Sequence, residues 1–155
     1  MIIGYSEEFT RDWDWYAVDQ DGYVGHFTSA AMRTLPKSVK KDREAIELVA
    51  KYFFEQAPVR GDWSLLAEAE KDCGGWEKQG LDRYVRDFAL MASKGLFSFD
   101  TELHGEGRYY LVAIPARPLR VGDLPGNIKE ILSHTIASVR LKNCAYIHGA
   151  TTESW

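Results

Sequence analysis

The sequence predicts a single α+β domain over residues 1–155, with a mainly antiparallel sheet of two hairpins packed by about three helices. Three observations predict this fold class. Two runs rich in aromatic and β-branched residues are each interrupted by a strong turn signal. Other segments place apolar residues at the three- and four-residue spacing of amphipathic helices. The chain has 155 residues, 45% of them hydrophobic, which is enough for one buried core, and it shows no internal repeat or interdomain linker.

The first predicted hairpin spans Trp13–Ser29. Its two halves flank the segment Asp19–Gly22, which fits a type I turn with Gly22 in the left-handed region. Gly25 removes a side chain from the second half, which indicates a bulge or the close approach of an aromatic ring. This hairpin is the strongest local prediction that the sequence offers.

The second predicted hairpin pairs Leu96–Glu102 with Arg108–Ile114. The turn between them contains two glycines, as hairpin loops often do. Apolar residues occupy both faces of the later run, which predicts a central strand covered on both sides. Pro115 follows this strand and is expected to end it.

Two amphipathic helices are predicted, one from Asp42 to about Gln56 and one from Leu81 to about Lys94. Asp42 is a suitable N-cap for the first helix, and Pro58 prevents its continuation. Gly95 provides a left-handed stop for the second helix. Each helix has one apolar stripe, and we expect the first to lie across the sheet.

Weaker signals predict the remaining elements. Asp62 is expected to cap a short helix from Trp63 to about Lys71, and Asp123 to cap a third helix. The segment Ala137–Leu141 is predicted to form a short final strand. The end of the chain, from Gly149, is expected to be frayed.

Composition and charge argue against several classes of function. The formal net charge is −4, so a general affinity for nucleic acid or for anionic membranes is not expected. The apolar runs are shorter than the ~18 residues that a membrane span needs, and the first residues do not resemble a signal peptide. The two separated cysteines, Cys73 and Cys144, are typical of reduced thiols. We therefore expect a cytoplasmic protein.

The search for catalytic and metal-binding motifs gives no candidate. The histidines lie too far apart in sequence for local metal ligation: His26, His104, His134 and His148. The turn Asp19–Gly22 begins like a calcium loop, but Ala17 and Thr28 stand where further ligands are needed. We predict neither a metal nor another cofactor. His26 is expected to be a structural histidine at a sheet surface, and the alternative is a general base that meets carboxylates in a cleft of a small hydrolase-like enzyme.

Aromatic residues beside acidic ones are the most unusual feature of the sequence. The chain has five Trp, eight Tyr and seven Phe, most of which should pack in the core. Trp13 and Trp15 bracket Asp14, and Asp62 adjoins Trp63; such pairs favour a protein-binding surface for a basic partner. We expect Asp12 and Asp14, at the rim of the first hairpin, to act beside Trp63. The full set of candidate partner-binding residues is Asp12, Asp14, Asp19, Asp21, Asp62, Trp63, Glu68 and Trp76.

Several segments carry a resemblance to known proteins. They are Trp13–Ser29, Leu35-Pro36, Gly95–Asp100, Tyr110–Pro115 and Asp123–Pro125. In this order they resemble small bacterial proteins of uncharacterised type, and small acidic proteins of that kind are similar to the immunity proteins of secreted bacterial toxins. That class binds and blocks a cognate toxin without catalysis. The resemblance therefore implies a non-enzymatic protein with a protein partner, such as a basic toxin domain. It implies no particular functional residues, because the shared motifs are structural.

Overall fold

A mixed sheet of six strands lies at the centre of this computed structural model, which describes residues 1–66, 76–103 and 107–155. The strands are β1 (Asp14–Val18), β2 (Val24–Thr28), β3 (Trp63–Leu65), β4 (Phe97–Thr101), β5 (Arg108–Pro115) and β6 (Tyr146–His148). The α-helices within these ranges are α1 (Tyr5–Glu8), α2 (Lys37–Lys40), α3 (Arg43–Lys51), α4 (Lys78–Ser93), α5 (Gly126–Leu132) and α6 (Gly149–Glu153). A π-helix (Tyr52–Gln56) continues α3, and 3₁₀ turns lie at Val121–Asp123 and Leu141–Asn143. None of the described helices is both long enough and apolar enough to cross a membrane.

The strand order is β1-β2-β4-β5-β3, and β6 also pairs with β5. Strands β1 and β2 pair antiparallel, as do β4 and β5, which confirms the two predicted hairpins. The hairpins meet through β2 and β4, which pair in parallel. The sheet is therefore mixed, and the antiparallel two-hairpin description holds only in part. Strand β5 is central as predicted, because β4 pairs with it on one side and β3 and β6 on the other.

The turn of the first hairpin is held by a buried carboxylate. Asp19 is 3% exposed, and its Oδ1 accepts hydrogen bonds from the backbone N–H groups of Asp21 (2.9 Å) and Tyr23 (3.0 Å). Its Oδ2 accepts a third from the N–H of Leu141 at 3.0 Å. Gly22 has a φ of +83°, the left-handed conformation that the turn prediction requires. The carboxylate thus closes the turn and ties it to a distant segment of the chain.

The two faces of the sheet carry different cores. On one face, Phe27 stacks between Trp15 and Phe99, with ring centroids 4.2 and 4.8 Å away. Gly25 lies here as well, and a Cβ at that position would be 2.8 Å from the Phe27 ring, which confirms the predicted close approach. On the other face, α3, its π-helical extension and α4 cover the sheet.

The two main helices follow the sequence prediction. The Oδ1 of Asp42 accepts a hydrogen bond from the N–H of Ala45 at 3.2 Å, which makes it the N-cap of α3. Helix α4 ends just before Gly95, whose φ is +98°. Helix α3 contacts β1, so it does lie across the sheet, as expected.

Three local predictions are wrong. Trp63–Leu65 form a strand, not the start of a helix, because β5 extends beyond β6 and leaves backbone groups on that edge for β3 to pair with; from residue 67 the predicted helix lies outside the described residues. The predicted strand Ala137–Leu141 is not formed; an isolated bridge pairs Val18 with Ile136, one residue before it. Asp123 ends a 3₁₀ turn instead of capping α5, whose N-cap position is taken by Pro125.

The end of the chain differs from the frayed tail that we expected. Residues Gly149–Glu153 form helix α6, and the final residue, Trp155, is 8% exposed. Its ring lies edge-on to Phe27 at 5.9 Å, and its indole N–H donates to the Ser138 hydroxyl at 2.8 Å. The burial of one large ring is sufficient reason for this segment to pack. The described helices also outnumber the three that the sequence predicts.

Candidate functional site

Carboxylates from two neighbouring parts of the sheet meet at the open end of the first hairpin. Asp14 on β1 is the cross-strand partner of Thr28 on β2. The Thr28 hydroxyl donates a hydrogen bond to Asp100 Oδ1, on β4, at 2.6 Å. The parallel pairing of β2 with β4 is therefore what brings the second carboxylate beside the first.

Aromatic residues from α4 and the segment before it adjoin these carboxylates. The Tyr84 hydroxyl donates to Asp100 Oδ2 at 2.6 Å and also hydrogen-bonds to the Tyr110 hydroxyl. The Trp76 ring packs edge-on against Tyr84 at 5.3 Å, yet Trp76 is 51% exposed. We call the set Asp12, Asp14, Asp100, Tyr84 and Trp76 the acidic patch.

The charges of the acidic patch repel one another. Asp12 lies just before β1, and its Oδ1 accepts a hydrogen bond from the N–H of Ala30 at 2.6 Å. Partial loss of hydration raises the pKa of Asp12, and the negative charges of Asp14 and Asp100 raise it further, against the opposing effects of the Ala30 hydrogen bond and of His26. The ionised form of Asp12 is therefore less favourable in the folded chain than in water.

His26 connects Asp14 to the interior. Its Nε2 is 2.7 Å from Asp14 Oδ1, and its Nδ1 is 2.7 Å from the hydroxyl of Ser98. A carboxylate can only accept, so in the neutral imidazole Nε2 carries the proton and Nδ1 accepts from Ser98. The rings of Phe54 and Phe88 lie 6.3 and 6.1 Å from the imidazole.

The Ser98–His26–Asp14 arrangement has the residue order of a hydrolase triad but the opposite orientation. Ser98 and His26 are fully buried, whereas 35% of the Asp14 side chain is exposed. In a hydrolase the serine oxygen must meet the substrate and the acid lies behind the histidine. In this conformation the serine lies innermost, so the array positions the Asp14 carboxylate. His26 is buried beneath helices, more deeply than the sheet-surface position that we expected.

A shallow cleft of about 210 Å³ lies beside the acidic patch, between the start of β1 and α3. Asp12 and Asp14 line it, together with Arg11 and Glu47, which pair at 2.9 Å. The Arg11 guanidinium also lies 3.5 Å from the ring centre of Trp13. The volume is below the roughly 300 Å³ at which small-molecule pockets begin. The cleft is large enough for a side chain of a partner.

The structure separates the other candidate residues. Asp19 is enclosed in the turn, and Asp21 lies at the turn end of the hairpin, 3.8 Å from Arg140 Nε. Asp62 and Trp63 are exposed at the start of β3, which lies at the opposite end of the strand order from β1. The expected neighbourhood of Asp14 and Trp63 is therefore not formed. Glu68 lies outside the described residues.

The sequence reasoning missed Asp100, Tyr84 and Ser98. One signal was present: Ser98 and Asp100 alternate with Phe97 and Phe99, which marks a strand with one polar and one aromatic face. Tyr84 belongs to the apolar stripe of a predicted helix, so nothing in the sequence indicated that its hydroxyl would bind a carboxylate.

Within the described ranges, no group of three or more His, Cys, Asp or Glu side chains is arranged to hold a metal ion. Comparison with protein-family models, with curated proteins and with solved structures finds no match to this chain.

Proposed function

We propose that this chain is an immunity-type protein that binds and neutralises a bacterial toxin domain, using the acidic patch to meet a basic surface. The observation that carries the proposal is the meeting of Asp12, Asp14 and Asp100 beside the exposed ring of Trp76. The donors to Asp12 and Asp100 are backbone amides and hydroxyls, which leave their negative charges in place.

The parts of the acidic patch suit different steps of association. Negative charge at the rim raises the rate of encounter with a basic partner and disfavours acidic competitors. An amphipathic ring such as Trp76 contributes large contact area and is a frequent hot spot. The cleft beside Asp12 and Asp14 offers two carboxylates to a Lys or Arg of the partner.

The energetics of Asp12 also favour binding as the role of this patch. Its raised pKa indicates that its charge is unfavourable in the folded chain, although its carboxylate also accepts the N–H of Ala30. Groups of this kind often serve function at the expense of stability. A bound Lys or Arg would remove the repulsion among the three carboxylates.

The test uses the product of the gene beside the one for this chain as the candidate toxin. Calorimetry measures the Kd of the purified pair for the wild type, for Asp12→Asn with Asp14→Asn, and for Trp76→Ala. We expect each change in the acidic patch to weaken the complex by about tenfold or more, as lost interface charges and rings commonly do.

The chain supplies a matched control at the other end of the sheet. Asp62→Asn and Trp63→Ala alter the same two residue types, both exposed, at the start of β3. The Kd of these variants should stay within about twofold of the wild type. A complex weakened by the control pair and indifferent to the acidic patch would place the interface elsewhere. No complex at all with the neighbouring product would remove the immunity proposal.

A small hydrolase-like enzyme is the second candidate, and the Ser98–His26–Asp14 array is the observation that favours it. Such an enzyme would need Ser98 to become accessible by movement of the helices above it. Hydrolysis of a p-nitrophenyl ester that disappears in Ser98→Ala, without loss of folding, would favour the enzyme over the binding protein.

A further inference from the structure

The turn end of the first hairpin carries a second cleft, whose lining is basic although the whole chain is acidic. A cleft of about 370 Å³ is lined by Asp21, Tyr23, Arg120, Arg140, Lys142 and Asn143. Three cations and one carboxylate give this cationic cleft a formal charge of +2, whereas the chain carries −4. Its volume lies within the range of small-molecule sites.

Backbone contacts hold the segment that carries Arg120. Residues Tyr23 and Arg120 form an antiparallel bridge, and the N–H of Val121 donates to the Gly22 carbonyl at 2.8 Å. The Arg120 guanidinium donates to the carbonyl of Asp21 at 2.6 Å and to the Tyr23 hydroxyl at 3.2 Å, and it lies 4.7 Å from the Tyr23 ring centre. One cation is therefore positioned before any ligand arrives.

The other two cations flank an anchored residue. Leu141, between Arg140 and Lys142, is fully buried in the aromatic core, and its N–H is held by the Asp19 carboxylate. The two basic side chains project from this fixed point into the same cleft. The fold thus holds three like charges together.

Asp21 offsets this charge only in part. Its Oδ2 is 3.8 Å from Arg140 Nε, and the two side chains are 36% and 60% exposed. Exposed ion pairs of this length contribute little. An anion with two charges and several acceptor atoms would pair with Arg120, Arg140 and Lys142 more completely than Asp21 does, since guanidinium groups bind phosphate through paired hydrogen bonds.

We propose that the cationic cleft is a binding site for the dianionic phosphate group of a small phosphate monoester. The site stands on the charges and contacts at the turn, so it is independent of the acidic patch and of the function proposed for it.

The experiment titrates the full chain, by calorimetry and by amide NMR, with inorganic phosphate, ribose 5-phosphate and AMP at constant ionic strength. We expect saturable binding with shifts at Gly22, Tyr23 and Lys142. Stronger binding of either ester than of phosphate supports the site and identifies the attached group. The absence of saturable binding for all three probes would overturn the proposal.

Variants locate the binding. Arg140→Gln with Lys142→Gln should weaken it about tenfold, in line with the loss of two charge-assisted contacts. Arg86→Gln with Lys78→Gln removes one exposed Arg and one exposed Lys from α4 and should leave it unchanged. Equal loss in both double variants would mean a general charge effect and would contradict the proposal.

A gain of affinity gives the sharpest test, because misfolding cannot imitate it. Asp21→Asn removes the carboxylate that opposes an anion, so the phosphate probes should bind severalfold tighter.

Lowering the pH from 8 to 5 converts much of a phosphate monoester to the monoanion and should weaken its binding, whereas sulfate keeps both charges. Weaker binding by Asp21→Asn, or pH effects that are identical for phosphate and sulfate, would overturn the assignment.

Discussion

The two ends of the first hairpin use the same residue type in opposite ways. At the open end, Asp12 and Asp14 remain at the surface and add their charges to that of Asp100. At the turn end, Asp19 is buried against three backbone N–H groups, and Asp21 lies among cations. The Asp19 carboxylate uses both of its oxygens to bind backbone N–H groups, whereas Asp12 accepts one backbone N–H and keeps a charge at the surface beside other carboxylates, where a partner can reach it. Sequence proximity to the hairpin does not distinguish the two.

The largest expected difference between the two ends is in stability. Asp19→Ala would leave three N–H groups without their acceptor in a closed turn, so we expect a loss of about 3–5 kcal/mol in the free energy of unfolding. Asp14→Ala, at the open end, should cost less, because its carboxylate is partly hydrated. Urea unfolding followed by tryptophan fluorescence measures both. Similar losses at the two positions would break the distinction.

The connection between Asp14 and the interior gives the next prediction. His26→Phe removes both hydrogen bonds of the imidazole and leaves the buried Ser98 hydroxyl without its partner, which should lower the free energy of unfolding by about 1–3 kcal/mol. In the double variant with Ser98→Ala the loss should be smaller than in His26→Phe alone, because the orphaned hydroxyl is gone. Additive losses would show that the two groups do not act together.

Local signals predicted the elements, and long-range pairing decided the site. The turn at Asp19–Gly22 and the cap at Asp42 follow from neighbouring residues, and both appear in the structure. The parallel pairing of β2 with β4 does not follow from neighbours, because the chain between the two strands contains both main helices. Asp12, Asp14 and Trp76 were therefore found by residue type alone.

The same reasoning explains the misplaced residues. Asp19 and Asp21 looked alike in sequence, and the third partner of Asp19 is the N–H of Leu141, which only the folded chain brings near. Trp63 was expected beside Asp14, but a short strand pairs it with Pro115 at the far end of the sheet. The aromatic content predicted an exposed ring beside the carboxylates, but the strand order determines that this ring is Trp76 and not Trp63.

A smaller effect tests the turn end alone. Gly22→Ala must place a side chain at a φ of +83°, although the nearest atom to a new Cβ is 3.9 Å away. The expected loss is about 1 kcal/mol in the free energy of unfolding, from backbone strain. Gly122→Ala is the matched control, since a Cβ there meets nothing within 4 Å and its φ lies outside the positive range. If Gly122→Ala lowered the free energy of unfolding as much as Gly22→Ala does, backbone strain at Gly22 would not be the cause.

The smallest effect lies at the open end and concerns the sign of a pH dependence. Because the pKa of Asp12 is raised in the folded state, that state keeps the proton to higher pH than the unfolded chain does. Below the ordinary carboxyl pKa near 4, the ionisation of Asp12 therefore contributes nothing to the free energy of unfolding. As the pH rises from there through the raised pKa, that ionisation lowers the free energy of unfolding.

Asp12→Asn keeps an acceptor for the N–H of Ala30 and removes the charge. Relative to the wild type, it should gain stability as pH rises above about 4. The gain at neutral pH should stay below about 0.5 kcal/mol, because solvent screens a group this exposed. Urea unfolding at several pH values measures the difference. A variant that became less stable with rising pH would mean that the Asp12 charge supports the fold, as that of Asp19 does, and the two ends of the hairpin would no longer differ in kind.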